Sequence, residues 1–145
     1  TQRSIATYTC VFKEKNMLFH VFASQEERRA FGGSYFIEMQ FCDLPRGYKE
    51  KELVAVANIE HWKNDSLYIN DDEVFCKEYS RIFNYGLYHN GKWGEVDIFG
   101  INYYSPPLTE DIIKKILEEK PRDFEILLSW LEKAKKYNGF YILGI

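Results

Sequence analysis

The sequence closes on six apolar residues in a row, Phe140-Tyr141-Ile142-Leu143-Gly144-Ile145, directly after Asn138-Gly139. A soluble chain has to bury such a run, because each apolar side chain left in water forfeits its transfer free energy. The expectation is a buried strand that closes a sheet. Asn138-Gly139 reads as a helix stop, since Gly just past a helix takes positive φ without steric penalty and lets the open carbonyls be satisfied. The fold must therefore reserve an interior place for its last strand and lead a helix up to it.

Composition narrows the class. A chain of 145 residues is of single-domain size and buries about 68–70% of the surface its unfolded form exposes. With 46% hydrophobic residues, 11 Phe, 11 Tyr and 3 Trp, it has the material for an aromatic-rich core and none of the bias of a disordered segment. A formal charge of −3 speaks against binding nucleic acid by general phosphate attraction, which needs a basic surface, and suits a basic protein partner better.

Cys10, Cys42 and Cys76 are odd in number and widely spaced, with no C-x-x-C pair. They fit neither a disulfide frame nor a zinc site, and their aromatic and aliphatic neighbours suggest buried, reduced thiols. No apolar stretch has the length to span a bilayer, and the N-terminal residues show no charged-then-apolar leader, so the expected location is cytoplasmic. With Thr1 first, the initiator Met is either removed or outside this numbering.

Along the chain, residues 5–15 suit a helix face and a strand equally. Ser24 caps a short helix with Glu27 three residues on, a capping box, and Gly32-Gly33 ends it. Residues 34–41 alternate, Tyr35, Ile37, Met39 and Phe41 against Phe36, Glu38 and Gln40, the pattern of a half-buried strand. Leu44-Pro45-Arg46-Gly47 forms a turn between strands. Residues 53–62 read as a strand buried on both faces near its start. A short strand over 67–69 leads to a helix capped by Asn70 or Asp71 and carrying Val74, Phe75, Tyr79, Ile82 and Phe83. Asn90-Gly91 signals a type I′ hairpin with arms at 87–88 and 93–99. A helix over 109–120, with Thr109 as N-cap and Ile112, Ile113, Ile116 and Leu117 apolar, stops at Pro121. A second helix over 123–138 turns Ile126, Leu127, Trp130, Leu131 and Ala134 inward. The resulting class is α+β: a mostly antiparallel sheet with helices packed on it, and two consecutive C-terminal helices before the closing strand. One domain, 1–145, is expected.

No residue pattern specifies catalysis, a cofactor or a metal. His20, among Phe19, Val21 and Phe22, reads as structural, and His89 as an ordinary turn residue. His61 with Asp65 could form a general-base couple, but no nucleophile stands at motif spacing. Asp71-Asp72-Glu73 is better explained by helix capping than by a hard cation, because adjacent carboxylates diverge and the calcium-loop spacing is missing. There is no phosphate-binding glycine pattern and no nucleophile elbow. Trp62 and Trp93, beside turns, suit either an exposed contact surface or the edge of the core.

The segments Asp97-Ile98-Phe99-Gly100-Ile101-Asn102-Tyr103-Tyr104, Ile112-Ile113, the Pro121 break, Leu128-Ser129-Trp130-Leu131 and Asn138 through Ile145 resemble a family of bacterial immunity proteins that accompany polymorphic and contact-dependent growth-inhibition toxins. The resemblance implies a non-enzymatic cytoplasmic protein, without cofactor, that binds one cognate toxin C-terminal domain, expected to be a nuclease and so basic, and blocks its active site or its access to substrate. From composition, the contact surface is expected to include Glu60, Trp62, Asp65, Asp71, Asp72 and Glu73, with Trp93 and Glu95. Direct nucleic-acid or membrane binding is not expected. The alternatives are a small metal-dependent hydrolase or nuclease using His61, Asp65 and nearby carboxylates, and a homo-oligomeric subunit.

Overall fold

A computed structural model describes residues 17–31 and 36–144. The expectations for residues 5–15, Cys10, Gly32-Gly33, Ser34, Tyr35 and Ile145 lie outside those residues. Within them, seven strands form one sheet: β1 (Phe19–His20), β2 (Ile37–Phe41), β3 (Leu67–Ile69), β4 (Gly86–Tyr88), β5 (Trp93–Gly94), β6 (Ile101–Tyr104) and β7 (Phe140–Leu143). Their order is β1-β3-β2-β7-β6-β4-β5 and all neighbours are antiparallel. The expected α+β class holds. The apolar run is the last strand of the chain and the middle strand of the sheet, paired to β2 on one side and β6 on the other, with all four residues buried.

Among the described residues five helices accompany the sheet: α1 (Gln25–Phe31), α2 (Glu50–Leu53), α3 (Asp72–Tyr79), α4 (Pro106–Glu119) and α5 (Phe124–Ala134), with a 3-10 turn at Val56–Asn58. The register assigns the two faces. Ile37, Met39, Phe41, Tyr104, Phe140 and Ile142 point to the front, where Phe75 and Tyr79 of α3, Ile112 and Ile116 of α4, and Leu127, Trp130 and Leu131 of α5 cover them. On the back, one row crosses five strands as Trp93, Leu87, Tyr103, Tyr141 and Gln40. A second row runs Ile101, Leu143, Glu38, Tyr68 and His20. Leu53 and Val54 cover the first row, and Phe31 of α1 packs on His20 and on Phe22 and Phe36, which cluster with Tyr68.

Several local expectations are met. Ser24 Oγ accepts from the Glu27 amide (3.1 Å), and Glu27 returns a bond from the Ala23 amide (3.0 Å), closing the box one residue early. Asp71 caps α3 through the Val74 amide (3.0 Å). Others are corrected. Residues 53–62 are not a strand but the end of α2, the 3-10 turn and a loop. Both edges of β2 are taken by β3 and β7, so this segment cannot pair with the strand that precedes it and lies over the back face instead. The turn at Pro45 accordingly joins a strand to a helix. β2 is buried on both faces rather than half-buried. α3 ends at Tyr79, and Ile82 and Phe83 reach the core from the following turn.

The N-cap of the first long helix is Ser105, not Thr109. Pro106 and Pro107 occupy positions whose amides would be unpaired anyway, so the helix starts earlier, and Thr109 is buried with its hydroxyl donating to the Ser105 carbonyl (2.9 Å). Leu117 faces outward. α5 stops at Ala134, short of 138. At Asn90-Gly91 only Gly91 has positive φ (86°), and the Gly91 amide donates to Tyr88 O while Tyr88 N donates to Lys92 O. That is a three-residue loop with Gly at the left-handed position, not a type I′ turn, and the second arm shrinks to β5.

Gly139 combines φ of 81° with a close approach: a Cβ there would lie 2.0 Å from the Tyr104 carbonyl oxygen. Gly91 has similar φ and open space around it. Gly91→Ala therefore carries only left-handed strain, about 1–2 kcal/mol, whereas Gly139→Ala must also move β6 or β7. Urea unfolding should show a clearly larger loss for Gly139→Ala; equal losses would remove the close contact as a constraint.

Candidate functional site

The back face of β2 places Glu38, 2% exposed, beneath a loop that has no regular structure of its own. Four donors converge on this carboxylate. Oε1 accepts from the Trp62 amide (2.7 Å), and Oε2 accepts from the Lys63 amide (2.9 Å), the Ser66 hydroxyl (2.6 Å) and Gln40 Nε2 (2.8 Å). Bonds of this kind to a buried carboxylate are about twice as strong as neutral ones.

Four backbone carbonyls of the loop are taken as well. Gln40 Nε2 donates to the Glu60 carbonyl and Gln25 Nε2 to the Trp62 carbonyl. Tyr68 Oη donates to the Lys63 carbonyl (2.7 Å), and the indole of Trp130 in α5 to the Asp65 carbonyl (2.9 Å). Buried backbone is normally satisfied by a helix or a ladder; here side chains from β2, α1, β3 and α5 do that work. Trp62 is held at φ 64°, rare for a bulky residue and sustained only where the surroundings over-determine it. Its ring stacks on Tyr68 (centroids 5.9 Å, 12°), with the Arg28 guanidinium 3.9 Å from its centroid.

Glu60, His61, Trp62, Asn64 and Asp65 are exposed on this loop, Trp62 to 36%. Beside it a cleft of about 210 Å³ opens between the sheet and the 3-10 turn, lined by Gln40, Asp43, Leu44, Glu60, Lys63 and Tyr141 among others. Lys63 pairs with Asp43 at its rim. Burial alone pulls the Lys63 ammonium down, but the Asp43 hydrogen bond and charge, with Asp65 and Glu60 beyond, outweigh it and leave the group above its ordinary value. Burial also pushes the Cys42 thiol and the Tyr141 hydroxyl up. Neither is therefore activated as a nucleophile or base at neutral pH.

The expected contact residues fall into three groups. Glu60, Trp62 and Asp65 share the loop. Asp71, Asp72 and Glu73 start α3, at the opposite end of β3 from Asp65, and Asp71 is spent as a cap. Asp72 and Glu95 both act on the Cys76 thiol and so share one neighbourhood. Trp93 stacks on Tyr85 (5.1 Å, 17°) on β5, four strand spacings from Gln40, or about 19 Å. The eight residues thus lie on the loop, around the start of α3 and on β5. Among the described residues no hydrogen bond joins His61 to Asp65, and no group of His, Cys, Asp and Glu has metal-site geometry. His20 packs against Phe22 and Phe31, and His89 Nδ1 lies 2.8 Å from the Val54 carbonyl. No helix among the described residues is long and apolar enough to cross a membrane.

Glu38 and Gln40 carry the site, yet their alternation in the sequence marks them as a solvent face. No local signal distinguishes a polar strand face that another loop will cover. No family model, curated protein or solved structure matches the chain.

Replacing Glu38 by Gln puts an amide NH₂ against a donor in either orientation, since both oxygens accept. Glu38→Gln should cost about 1–3 kcal/mol and speed hydrogen exchange at the Trp62 and Lys63 amides above the rest of the chain. Unchanged exchange at those two amides would show that the carboxylate does not hold the loop.

Proposed function

We propose that this chain is an immunity protein: a non-enzymatic inhibitor that binds a cognate toxin domain, a basic nuclease by preference, and blocks its active site or substrate access. The observation that carries the reading is the pinned loop of residues 60–65. Its backbone is fixed from several sides, while Glu60, Asp65 and the free edge of Trp62 face solvent. A surface already ordered before binding loses little conformational entropy on association. Aromatic anchors with carboxylates around them suit a basic protein, charge raising the on-rate and the aromatic contact slowing dissociation. The net charge of −3 has the matching sign, and the resemblance of residues 97–145 to immunity proteins points the same way. A hydrolase built on His61 and Asp65 draws no support from the geometry.

The test is co-expression and co-purification with the C-terminal domain of the toxin encoded by the neighbouring gene. Wild-type chain should form a stoichiometric complex and protect the producing cell. Trp62→Ala combined with Asp65→Lys should weaken the complex at least tenfold, with a loss of thermal stability no larger than that of Trp62→Ala alone, which gives up the Tyr68 stack and the Arg28 contact. Asp71→Lys with Asp72→Lys should act mainly through loss of the α3 cap, about 1 kcal/mol of stability. No complex with the wild-type chain would sink the proposal.

A further inference from the structure

We infer that the cleft between β2, β7 and the 3-10 turn is a socket for one cationic side chain, an arginine above all, presented by a basic protein partner. The inference rests on the immunity reading for the partner's identity and on the cleft's own chemistry for the rest. At about 210 Å³ the space lies below the range of roughly 300–1,000 Å³ typical of small-molecule sites, and it suits a single long side chain. Leu44, Ala57 and Tyr141 supply apolar wall for an aliphatic stem. Asp43 and Glu60 bring two carboxylates against the one ammonium of Lys63.

A second observation concerns Gln40, 3% exposed and lining the same cleft. Its Nε2 is spent on Glu38 and the Glu60 carbonyl. Its Oε1 accepts no bond from the described residues and is not sealed from solvent, leaving an acceptor that an incoming N–H can reach. A guanidinium offers five donors in a planar fork, enough to engage this amide oxygen and a carboxylate together.

Lys63 shows how the socket is held before the partner arrives. Its ammonium, on a side chain 22% exposed, sits on Asp43, whose side chain is 54% exposed. Asp65 and Glu60 also bear on it. The pair neutralises the rim in the free protein, and Lys63 competes with the partner's cation for the same carboxylate. The backbone of Lys63 is fixed by Glu38, so only its flexible side chain has to swing aside.

Two measurements test this. In the first, the ¹⁵N-labelled full chain is titrated with arginine amide and, as its neutral isostere, citrulline amide. Arginine amide should shift the Gln40 and Asn58 side-chain amides and the Glu60 backbone amide saturably. The Asp43→Asn, Glu60→Gln double variant should abolish those shifts, and Lys63→Met should tighten the titration about threefold or more. Equal shifts with citrulline amide, or shifts confined to other acidic sites such as residues 71–73, would overturn the socket. In the second, the toxin domain should bind the double variant at least tenfold more weakly than wild type and bind Lys63→Met at least as tightly. A wild-type complex whose affinity ignores Asp43 and Glu60 removes the socket while leaving the immunity reading standing. Arginine selectivity without any toxin complex does the reverse.

Discussion

The hydrogen-bonded link through β7 is the constraint on which the rest of the molecule depends. β1, β3 and β2 make one half of the sheet and β6, β4 and β5 the other, and β7 is what joins them. It is the last of the described strands in sequence, so the sheet cannot be completed until residues 140–143 are in place. Pairings of this sequence separation carry a large loop-closure cost, which the burial of Phe140, Tyr141, Ile142 and Leu143 has to offset. Gly139 sets the geometry of the insertion: the chain passes so close to the Tyr104 carbonyl that a side chain has no room.

Centring β7 also decides what covers the back face. Once β2 is flanked by β3 and β7, residues 53–59 can contribute only by packing over the sheet. Leu53 and Val54 do so, and Tyr141 ties them down by donating to the Leu53 carbonyl (2.6 Å). The loop that follows has no ladder partner either. Glu38, Gln40, Gln25, Tyr68 and Trp130 supply its hydrogen bonds instead, and they convert an irregular segment into a rigid one. Rigidity of this origin leaves the loop's outer side chains free for recognition, because none of Glu60, His61 and Asp65 is used to hold the loop by its side chain.

Legibility followed the range of the interactions. The Ser24 and Glu27 box, the Asp71 cap, the Pro121 stop and the positive φ of Gly91 and Gly139 depend on atoms within a few residues, and each could be read directly. The error at Thr109 has the same cause in reverse: Ser105 was the better cap because two prolines behind it fit the first turn, and the apolar spacing pointed one turn too late. The reading of 53–62 as a strand failed for a non-local reason, since alternation describes a side-chain pattern and says nothing of whether a neighbouring strand is free. Glu38 and Gln40 were misplaced at the surface for the same reason. Trp62 and Trp93 could be named as edge aromatics, but only the register shows that Trp93 lies four strand spacings, about 19 Å, from Gln40, with Trp62 over Tyr68 on the strand beyond.

By itself, the sequence determined that this chain is α+β, that its end is a buried strand behind a glycine stop, and that its surface is mildly acidic. These follow from transfer free energies, backbone sterics and charge, which each residue carries with it wherever it folds. Only the tertiary structure decided that β7 is the central strand, that Glu38 is buried under a loop, and that Glu60, Trp62 and Asp65 stand on a loop away from the start of α3. Those outcomes depend on which strand edges remain unpaired and which polar atoms meet, and such conditions exist only after distant parts of the chain have come together.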